Sequence, residues 1–260
     1  MSHVEIQTID HQLVVTINRP EKRNAFNPEV IQALTKAFKE AESVPGVRSV
    51  LLKGAGKSFC AGADLDWMKS MAQYSEQENL QDALELYDLF KAVAECSLPV
   101  VAQVQGHVMG GANGLIAVCD IVAAEKDTQF AFSEVRLGLV PATISPFILK
   151  KMSPGFARKA MLTGDRFSAD QALSSGLVQF VGSSDQVDAY MAELNVSFKS
   201  SGPEALRETK RLCGLPEIHQ GDQLRAATAR SIARARVGAE AQAGLNAFFN
   251  KSRPEWKVDQ

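Results

Sequence analysis

The stretch from residue 105 to residue 120, QGHVMGGANGLIAVCD, joins a turn of small residues to an apolar run of helical character. It follows the strand-like segment PVVAQV and passes through Gly106 and the pair Gly110–Gly111. Few of its side chains are chemically reactive, so the N–H groups of the main chain are the candidate functional groups. Where small residues end a strand and begin a helix, unpaired N–H groups can point at an anion that comes close. The sequence therefore predicts a strand, a turn that offers amides, and a helix.

A second loop has the same character. The segment GAGKSFCAGADLDWM (54–68) leaves the strand-like VRSVLLKG and turns through Ala61 and Asp64 towards a predicted helix. Two such loops can form an oxyanion hole, in which converging amides stabilise charge on a carbonyl oxygen. Tight packing at Gly110–Gly111 and a capping role for Asp64 explain the same residues equally well. Spacing alone leaves both interpretations open.

The rest of the chain alternates strands with helices. Residues 4–19 read as a hairpin, Asn27–Pro28 as a helix start, and further strands recur with helical crossovers, which is typical of a largely parallel α/β core. Beyond Leu139 we expect short helices, one last strand near 177–181, and helix from about Ser184. A boundary at Gly202–Pro203 predicts a core over 1–201 and a helical region over 202–260. The Ala- and Arg-rich tail has too little apolar surface to fold alone, so it should pack on a neighbour.

Composition narrows the class of partner. The 260 residues carry 28 Lys and Arg against 30 Asp and Glu, a formal net charge of −2, which favours neither nucleic acid nor a membrane surface. A small molecule is the expected ligand. The four cysteines are scattered without metal or redox spacing, and no apolar run reaches the roughly 18 residues of a membrane span. We therefore expect a cytoplasmic protein with reduced thiols and no metal.

Four motifs, taken together, resemble the crotonase superfamily, also called the enoyl-CoA hydratase/isomerase family. They are FCAGADL, the GG turn, the CD that follows it, and SEVRLGLVP, and the similarity runs nearly end to end. The resemblance implies a spiral of ββα units with a C-terminal helical oligomerisation region, as a homotrimer or dimer of trimers. It also implies a coenzyme A thioester as substrate, with no separate cofactor.

The resemblance also assigns roles to particular residues. It places the two oxyanion amides on Ala63 and Gly111. Contacts with coenzyme A fall on two groups of residues, one near the AGAD loop and one at the end of the tail, which approaches a neighbouring subunit: Arg23, Ala25, Ala61, Asp64 and Leu65, then Phe248 and Lys251.

One departure from the family pattern bears on the reaction. Hydratases of the best-known type carry two glutamates, and the matching positions here are Gly114 and Glu134. The single acid Glu134 can move a proton at an acyl thioester if burial raises its pKa. The segments after Glu134 and near the C-terminus are similar to bacterial methylglutaconyl-CoA-type hydratases, which often lack the first glutamate. We therefore expect an enoyl-CoA hydratase acting on a 2-enoyl thioester, with branched or carboxylated acyl groups among the candidates. A Δ3,Δ2-enoyl-CoA isomerase and a thioester-binding protein without turnover are the alternatives.

Overall fold

The computed structural model describes residues 3–257, which fold as two β-sheets surrounded by helices. The strands of this part of the chain are, in order, β1 (Val4–Ile9), β2 (Gln12–Ile17), β3 (Ser49–Gly54), β4 (Val100–Val104), β5 (His107–Met109), β6 (Ile121–Glu125), β7 (Gln129–Ala131), β8 (Arg166–Ser168) and β9 (Phe180–Gly182). Its α-helices are α1 (Pro28–Glu40), α2 (Leu65–Met71), α3 (Glu76–Glu95), α4 (Gly111–Ala117), α5 (Ser145–Lys151), α6 (Pro154–Thr163), α7 (Ala169–Ser175), α8 (Ser184–Ser200), α9 (Pro203–Ile218), α10 (Gly221–Val237) and α11 (Ala239–Phe249).

The larger sheet has the strand order β1-β2-β3-β4-β6-β9, and each neighbouring pair is parallel except β1 with β2. The antiparallel pair is the predicted hairpin. Its two-residue turn holds Asp10 and His11 at φ values of 47° and 61°, the positive-φ geometry that matches the twist of a tight hairpin. The predicted α/β class and the parallel core are confirmed.

The smaller sheet, β5-β7-β8, shows how the chain winds. Strands β4 and β6 of the larger sheet are each followed by a strand of the smaller one, β5 and β7, before the chain turns into a helix. This repeated course is the predicted spiral. Strands β5 and β8 were not predicted, because three residues are too few for alternation to be recognised.

The last strand lies further along the chain than predicted. Leu177 and Val178 bury their side chains, but both of their N–H groups donate to the carbonyl of Ala172 at the end of α7. Their backbone closes a helix instead of joining the sheet. Pairing with β6 therefore begins at Phe180.

The C-terminal helices are tied to the sheet domain by buried polar contacts. The Arg48 guanidinium donates through Nη2 to the carbonyls of Ser201 and Trp256, both at 3.0 Å. Lys210 on α9 lies 2.7 Å from the carboxylate of Asp120. Helix α9 begins at Pro203, next to the predicted boundary, and the division into two regions stays a prediction.

The sequence also predicts that the chain has no membrane-spanning helix and that its cysteines are reduced thiols. Within residues 3–257, no helix combines the length and the apolar character needed to cross a membrane. Cys60, Cys96 and Cys119 are buried, whereas Cys213 is exposed. Burial raises the pKa of the Cys60 and Cys119 thiols to about 12, so both stay protonated and unreactive at neutral pH.

Candidate active site

The two predicted loops lie directly against each other. Cys60 and Val108 form a parallel β-bridge, in which the Met109 N–H donates to the Cys60 carbonyl at 3.1 Å. Glycines allow this approach: a Cβ added at Gly106 would lie 2.0 Å from the Lys57 carbonyl oxygen, and one at Gly62 would lie 3.1 Å from that of Met109. No other residue type fits at Gly106.

The amide of Ala63 points into the space between the loops. Ala63 pairs with Phe26 in a parallel bridge, but the hydrogen bonds of that bridge are made by Phe26 N–H to the Gly62 carbonyl and by Asp64 N–H to the Phe26 carbonyl, both at 2.7 Å. In an extended strand, successive amides face opposite sides. The Ala63 N–H therefore faces away from Phe26, and it has no acceptor among the described residues.

The amide of Gly111 lies across from it. Gly110 adopts a φ of 53° and a ψ of −124°, and its own N–H donates to the Ala131 carbonyl at 2.9 Å. Gly111 then begins α4, and within residues 3–257 its N–H donates to no protein acceptor. The ring of Phe26 lies 3.6 Å from the place where a Cβ of Gly111 would be, and its backbone pairs with Ala63. The two residues predicted to supply oxyanion amides therefore both lie against Phe26.

Glu134 lies at the same turn. It begins a short 3-10 helix just after β7, and its Oε1 is 3.3 Å from a Cβ built on Gly110. The side chain is half-buried, and its Oε2 has no hydrogen-bond partner among the described residues. Burial raises the pKa of Glu134 above its ordinary 4.5, while a bond from its own N–H offsets part of the rise. A carboxyl kept dry and unpaired next to free amides is suited to proton transfer.

The position of the missing glutamate is closed by apolar side chains. A Cβ added at Gly114 would lie 2.4 Å from Cγ2 of Ile144 and 3.0 Å from Cζ of Phe90. Both side chains are fully buried. A second carboxyl therefore has no room at residue 114, and the site contains one acid where the resemblance pattern has two.

Asn113 ties the parts of the site together. This fully buried side chain donates through Nδ2 to the carbonyls of Val108, Gly110 and Ala131, at 3.1, 3.2 and 2.9 Å. The bonds link the turn that carries the Gly111 amide to the strand that leads into Glu134. This role was not predicted from the sequence. An Asn in the first turn of a helix after two glycines is its only signal.

The residues near the AGAD loop that the resemblance assigns to coenzyme A lie along one edge of the candidate site. The Arg23 carbonyl accepts from the Ala61 N–H at 3.0 Å, and the Ala25 carbonyl accepts from the Arg19 guanidinium at 2.8 Å. Leu65 is 72% exposed, an unusual state for a leucine beside a site. These contacts place the edge next to the Ala63 amide.

Asp64, also assigned to coenzyme A, uses its side chain within the protein. It caps α2 by accepting from the Asp66 N–H at 2.8 Å, and it pairs with Arg19 at 2.9 Å. Burial opposes ionisation, but these two hydrogen bonds hold the pKa of Asp64 below its usual range. Its capping role is thereby confirmed. The buried Arg19, which locks Asp64 and Ala25 together, was missed because an isolated arginine after a strand has no distinguishing pattern.

The two tail residues lie apart from this edge. Phe248 is 76% exposed and contacts the ring of Phe249, while Lys251 follows the end of α11 in a left-handed conformation. Neither makes a hydrogen bond, ion pair or ring contact with the Ala63, Gly111 or Glu134 group in residues 3–257. Within the same residues, no cluster of three or more His, Cys, Asp or Glu side chains could hold a metal ion.

Comparisons with known proteins all point to one family. The family model described as enoyl-CoA hydratase/isomerase matches residues 10–259. The chain is 28% identical to the mevalonyl-coenzyme A hydratase of Aspergillus fumigatus (95% of this chain, 92% of that one) and 27% identical to the 2,3-dehydroadipyl-CoA hydratase of Escherichia coli (99% of each). The crystal structure of an enoyl-CoA hydratase from Shewanella pealeana superposes with a TM-score of 0.93 at 34% identity, covering 98% of this chain and 96% of that one.

The first prediction concerns Asn113. Replacing it with Leu removes three hydrogen bonds to the turn, so the Gly111 amide and Glu134 lose their fixed relation. We expect kcat to fall at least about tenfold with a KM change of less than about threefold, because bonds made only in the transition state suffer most. Steady-state kinetics with crotonyl-CoA measures both constants. Equal changes in kcat and KM, or none, would contradict a positioning role, and a melting curve checks that the variant is folded.

The second prediction concerns Glu134. Glu134→Gln keeps the shape but removes the proton-accepting form, and kcat should fall at least about a hundredfold. In the unaltered protein, kcat/KM should rise with pH through a value above 4.5, since the ionised carboxyl is the active form and burial raises its pKa. That limb should vanish in the residual activity of the variant. Near-normal turnover in Glu134→Gln would remove Glu134 from the reaction.

Proposed function

The chain belongs to the enoyl-CoA hydratase/isomerase family, and we propose that it adds water across the double bond of a 2-enoyl-CoA thioester. One observation carries the proposal: a half-buried, unpaired carboxyl of raised pKa stands beside two amides that have no acceptor within the described residues. Binding without turnover is the weaker alternative. A half-buried carboxyl without a protein partner costs stability, and beside two free amides it is suited to proton transfer.

The amides act on the thioester carbonyl. Its oxygen accepts from the N–H groups of Ala63 and Gly111, and negative charge grows on that oxygen as the enolate forms. Each such donor contributes roughly 3 kcal/mol to the transition state when it is preorganised and shielded from water. Both amides are fixed before substrate arrives, because bridges to Phe26 and Ala131 hold the neighbouring backbone.

Glu134 moves the proton. Its carboxylate takes a proton from water while the water oxygen bonds to C3, and the carboxyl then gives a proton to C2, where the enolate collapses. One group thus serves first as base and then as acid, which is compatible with a single glutamate. The raised pKa of Glu134 supports both roles, because a carboxyl that ionises nearer neutral pH takes up and returns a proton more readily.

Isomerisation is the second candidate, and the wall at Gly114 favours it. Ile144 and Phe90 occupy the place where another acid would help to hold water. A Δ3,Δ2-isomerase needs one base to carry a proton between C2 and C4 and gains from a dry site. Hydration remains the first choice because the two curated relatives described above are named as hydratases.

The acyl group is proposed to be branched or carboxylated, as in methylglutaconyl-CoA. The sequence resemblance after Glu134 supports this choice. The relative from Escherichia coli is named for a dehydroadipyl thioester, whose acyl chain ends in a second carboxyl, and that from Aspergillus fumigatus for mevalonyl-CoA.

Coenzyme A is proposed to lie along the edge formed by Arg23, Ala25, Ala61 and Leu65, with the tail of a neighbouring subunit covering its nucleotide end. The exposure of Phe248 and Phe249 supports such a partner. So does a groove of about 2350 Å³ between α9–α11 and the surface of α3 and α5, which a second copy could fill. The assembly proposed is a homotrimer or a dimer of trimers.

The third prediction separates hydration from isomerisation. Incubation of a 2-enoyl-CoA in ¹⁸O-labelled water should place the label on C3 of a 3-hydroxyacyl product, detected by mass spectrometry. A parallel run in heavy water with a 3-enoyl-CoA tests the alternative. Double-bond migration with deuterium uptake, and no ¹⁸O in any product, would establish the isomerase and reject the hydratase.

The fourth prediction concerns assembly. A Phe248→Ser, Phe249→Ser double variant should dissociate towards monomer in light scattering, because it removes the exposed apolar surface at the end of α11. Ile6→Ser is the matched control, since Ile6 is also a half-exposed apolar residue but lies on the edge strand β1. Lys251→Ala should keep the oligomer and weaken coenzyme A binding. A double variant that assembles normally would reject this interface.

A further inference from the structure

A tryptophan and an aspartate pair beside the site, and the proposed reaction uses neither. Trp67 lies on α2, four residues after Ala63, and its ring is buried. Its indole Nε1–H donates to Oδ1 of Asp82 on α3 at 3.2 Å. The pair joins the helix that follows one oxyanion amide to a second helix.

Two apolar side chains on the same face of α3 show where Asp82 lies relative to the site. Leu86 follows one turn later, and its Cδ2 lies 3.9 Å from a Cβ built on Gly111. Phe90 follows after another turn and reaches 3.0 Å from a Cβ built on Gly114. Residues four apart on a helix share a face. Asp82, Leu86 and Phe90, here called the α3 stripe, therefore run along the site from Gly114 past the Gly111 amide to Trp67.

Asp82 is the only polar member of the α3 stripe. Its side chain is half-buried, and its Oδ2 has no hydrogen-bond partner among residues 3–257. Burial raises the pKa of this carboxyl, the bond from Trp67 opposes the rise, and the nearby Glu85 adds to it. The bond from Trp67 thus fixes one oxygen of Asp82, and the other oxygen, which solvent can reach, is open to a ligand.

We infer that Asp82 determines acyl specificity: it binds a hydroxyl or carboxyl group carried by the acyl chain, and Trp67 orients it for that purpose. The inference rests on the proposed function, since it needs an acyl thioester whose carbonyl lies at the Gly111 amide. A chain leaving that carbonyl along the α3 stripe meets Leu86 first and Asp82 a turn further on. An alkyl end would displace water from the Asp82 oxygen without replacing its hydrogen bond, whereas an oxygen-bearing end would pair with it.

A hydroxyl end and a carboxylate end of the acyl chain differ in the protonation state of Asp82 that they require. A hydroxyl donates to Asp82 whether or not the carboxyl is ionised. A carboxylate pairs with Asp82 only when Asp82 keeps its proton, because two negative charges repel. The same acid thus accepts both chemistries, and substrates with each end distinguish them.

The test uses the full-length protein and three six-carbon thioesters: 2-hexenoyl-CoA, 6-hydroxy-2-hexenoyl-CoA and 2-hexenedioyl-CoA. We expect kcat/KM to favour at least one polar thioester over the alkyl one by about tenfold, the usual effect of one hydrogen bond. Asp82→Leu should reduce that preference to less than about threefold. Asp88→Leu, which makes the same change at an exposed aspartate of α3 outside the α3 stripe, is the matched control and should keep the preference.

A second measurement separates this inference from the proposed reaction. Calorimetric binding of the saturated hexanoyl-, 6-hydroxyhexanoyl- and adipyl-CoA needs no turnover, so a polar preference lost in Asp82→Leu supports the inference even if hydration is absent. Asp82→Ala, which removes both carboxyl oxygens, covers the case in which the leucine variant fails to fold. No polar preference in the unaltered protein, or one that survives in either variant, overturns the inference and leaves the pair as a link between α2 and α3.

Discussion

The site depends on backbone packed against backbone. Lys57 and Gly106 approach so closely that even a methyl group at residue 106 would overlap a carbonyl oxygen, and Gly62 lies nearly as tightly against Met109. This contact brings the ends of β3 and β4 together. The Ala63 and Gly111 amides lie on these two loops, and neither has an acceptor among the described residues. The glycines that seem chemically empty in the sequence are the condition for an electrostatic site made of main chain.

Much of this arrangement could be predicted from the sequence, because small residues at strand ends are a local signal. The amides of Ala63 and Gly111, the acid Glu134 and the parallel core were all within reach of pattern and resemblance, and the structure brings these three residues together. Long-range side-chain contacts could not be predicted from the sequence. Asn113 reaches carbonyls on two separate strands, β5 and β7, and Trp67 finds Asp82 fifteen residues away. Which acceptors such side chains find is decided by tertiary packing, and no periodicity reports it.

Asn113 and Asp82 represent two different ways of using a buried polar group. The Nδ2 group of Asn113 donates to three carbonyls and so fixes the geometry of the turn, while its buried Oδ1 has no partner among the described residues. Glu134 keeps a buried oxygen without a partner among the described residues, Asp82 keeps one that solvent can reach, and burial raises the pKa of both carboxyls. Such groups cost folding free energy, since desolvation is not offset by a partner. These carboxyls lower the free energy of unfolding, which is typical of groups that contact a ligand.

The packing at Gly114 also restricts how this site can change by mutation. A glutamate introduced there alone would drive its Cβ into Ile144 and against Phe90, both inside the core. Overpacking of this kind costs typically 1–3 kcal/mol, a large share of the stability of an ordinary domain. A smaller residue must replace Ile144 first, and that step alone leaves a cavity. The route from one acid to two therefore passes through a less stable intermediate, which isolates this type of site from the two-glutamate type by more than one nucleotide change.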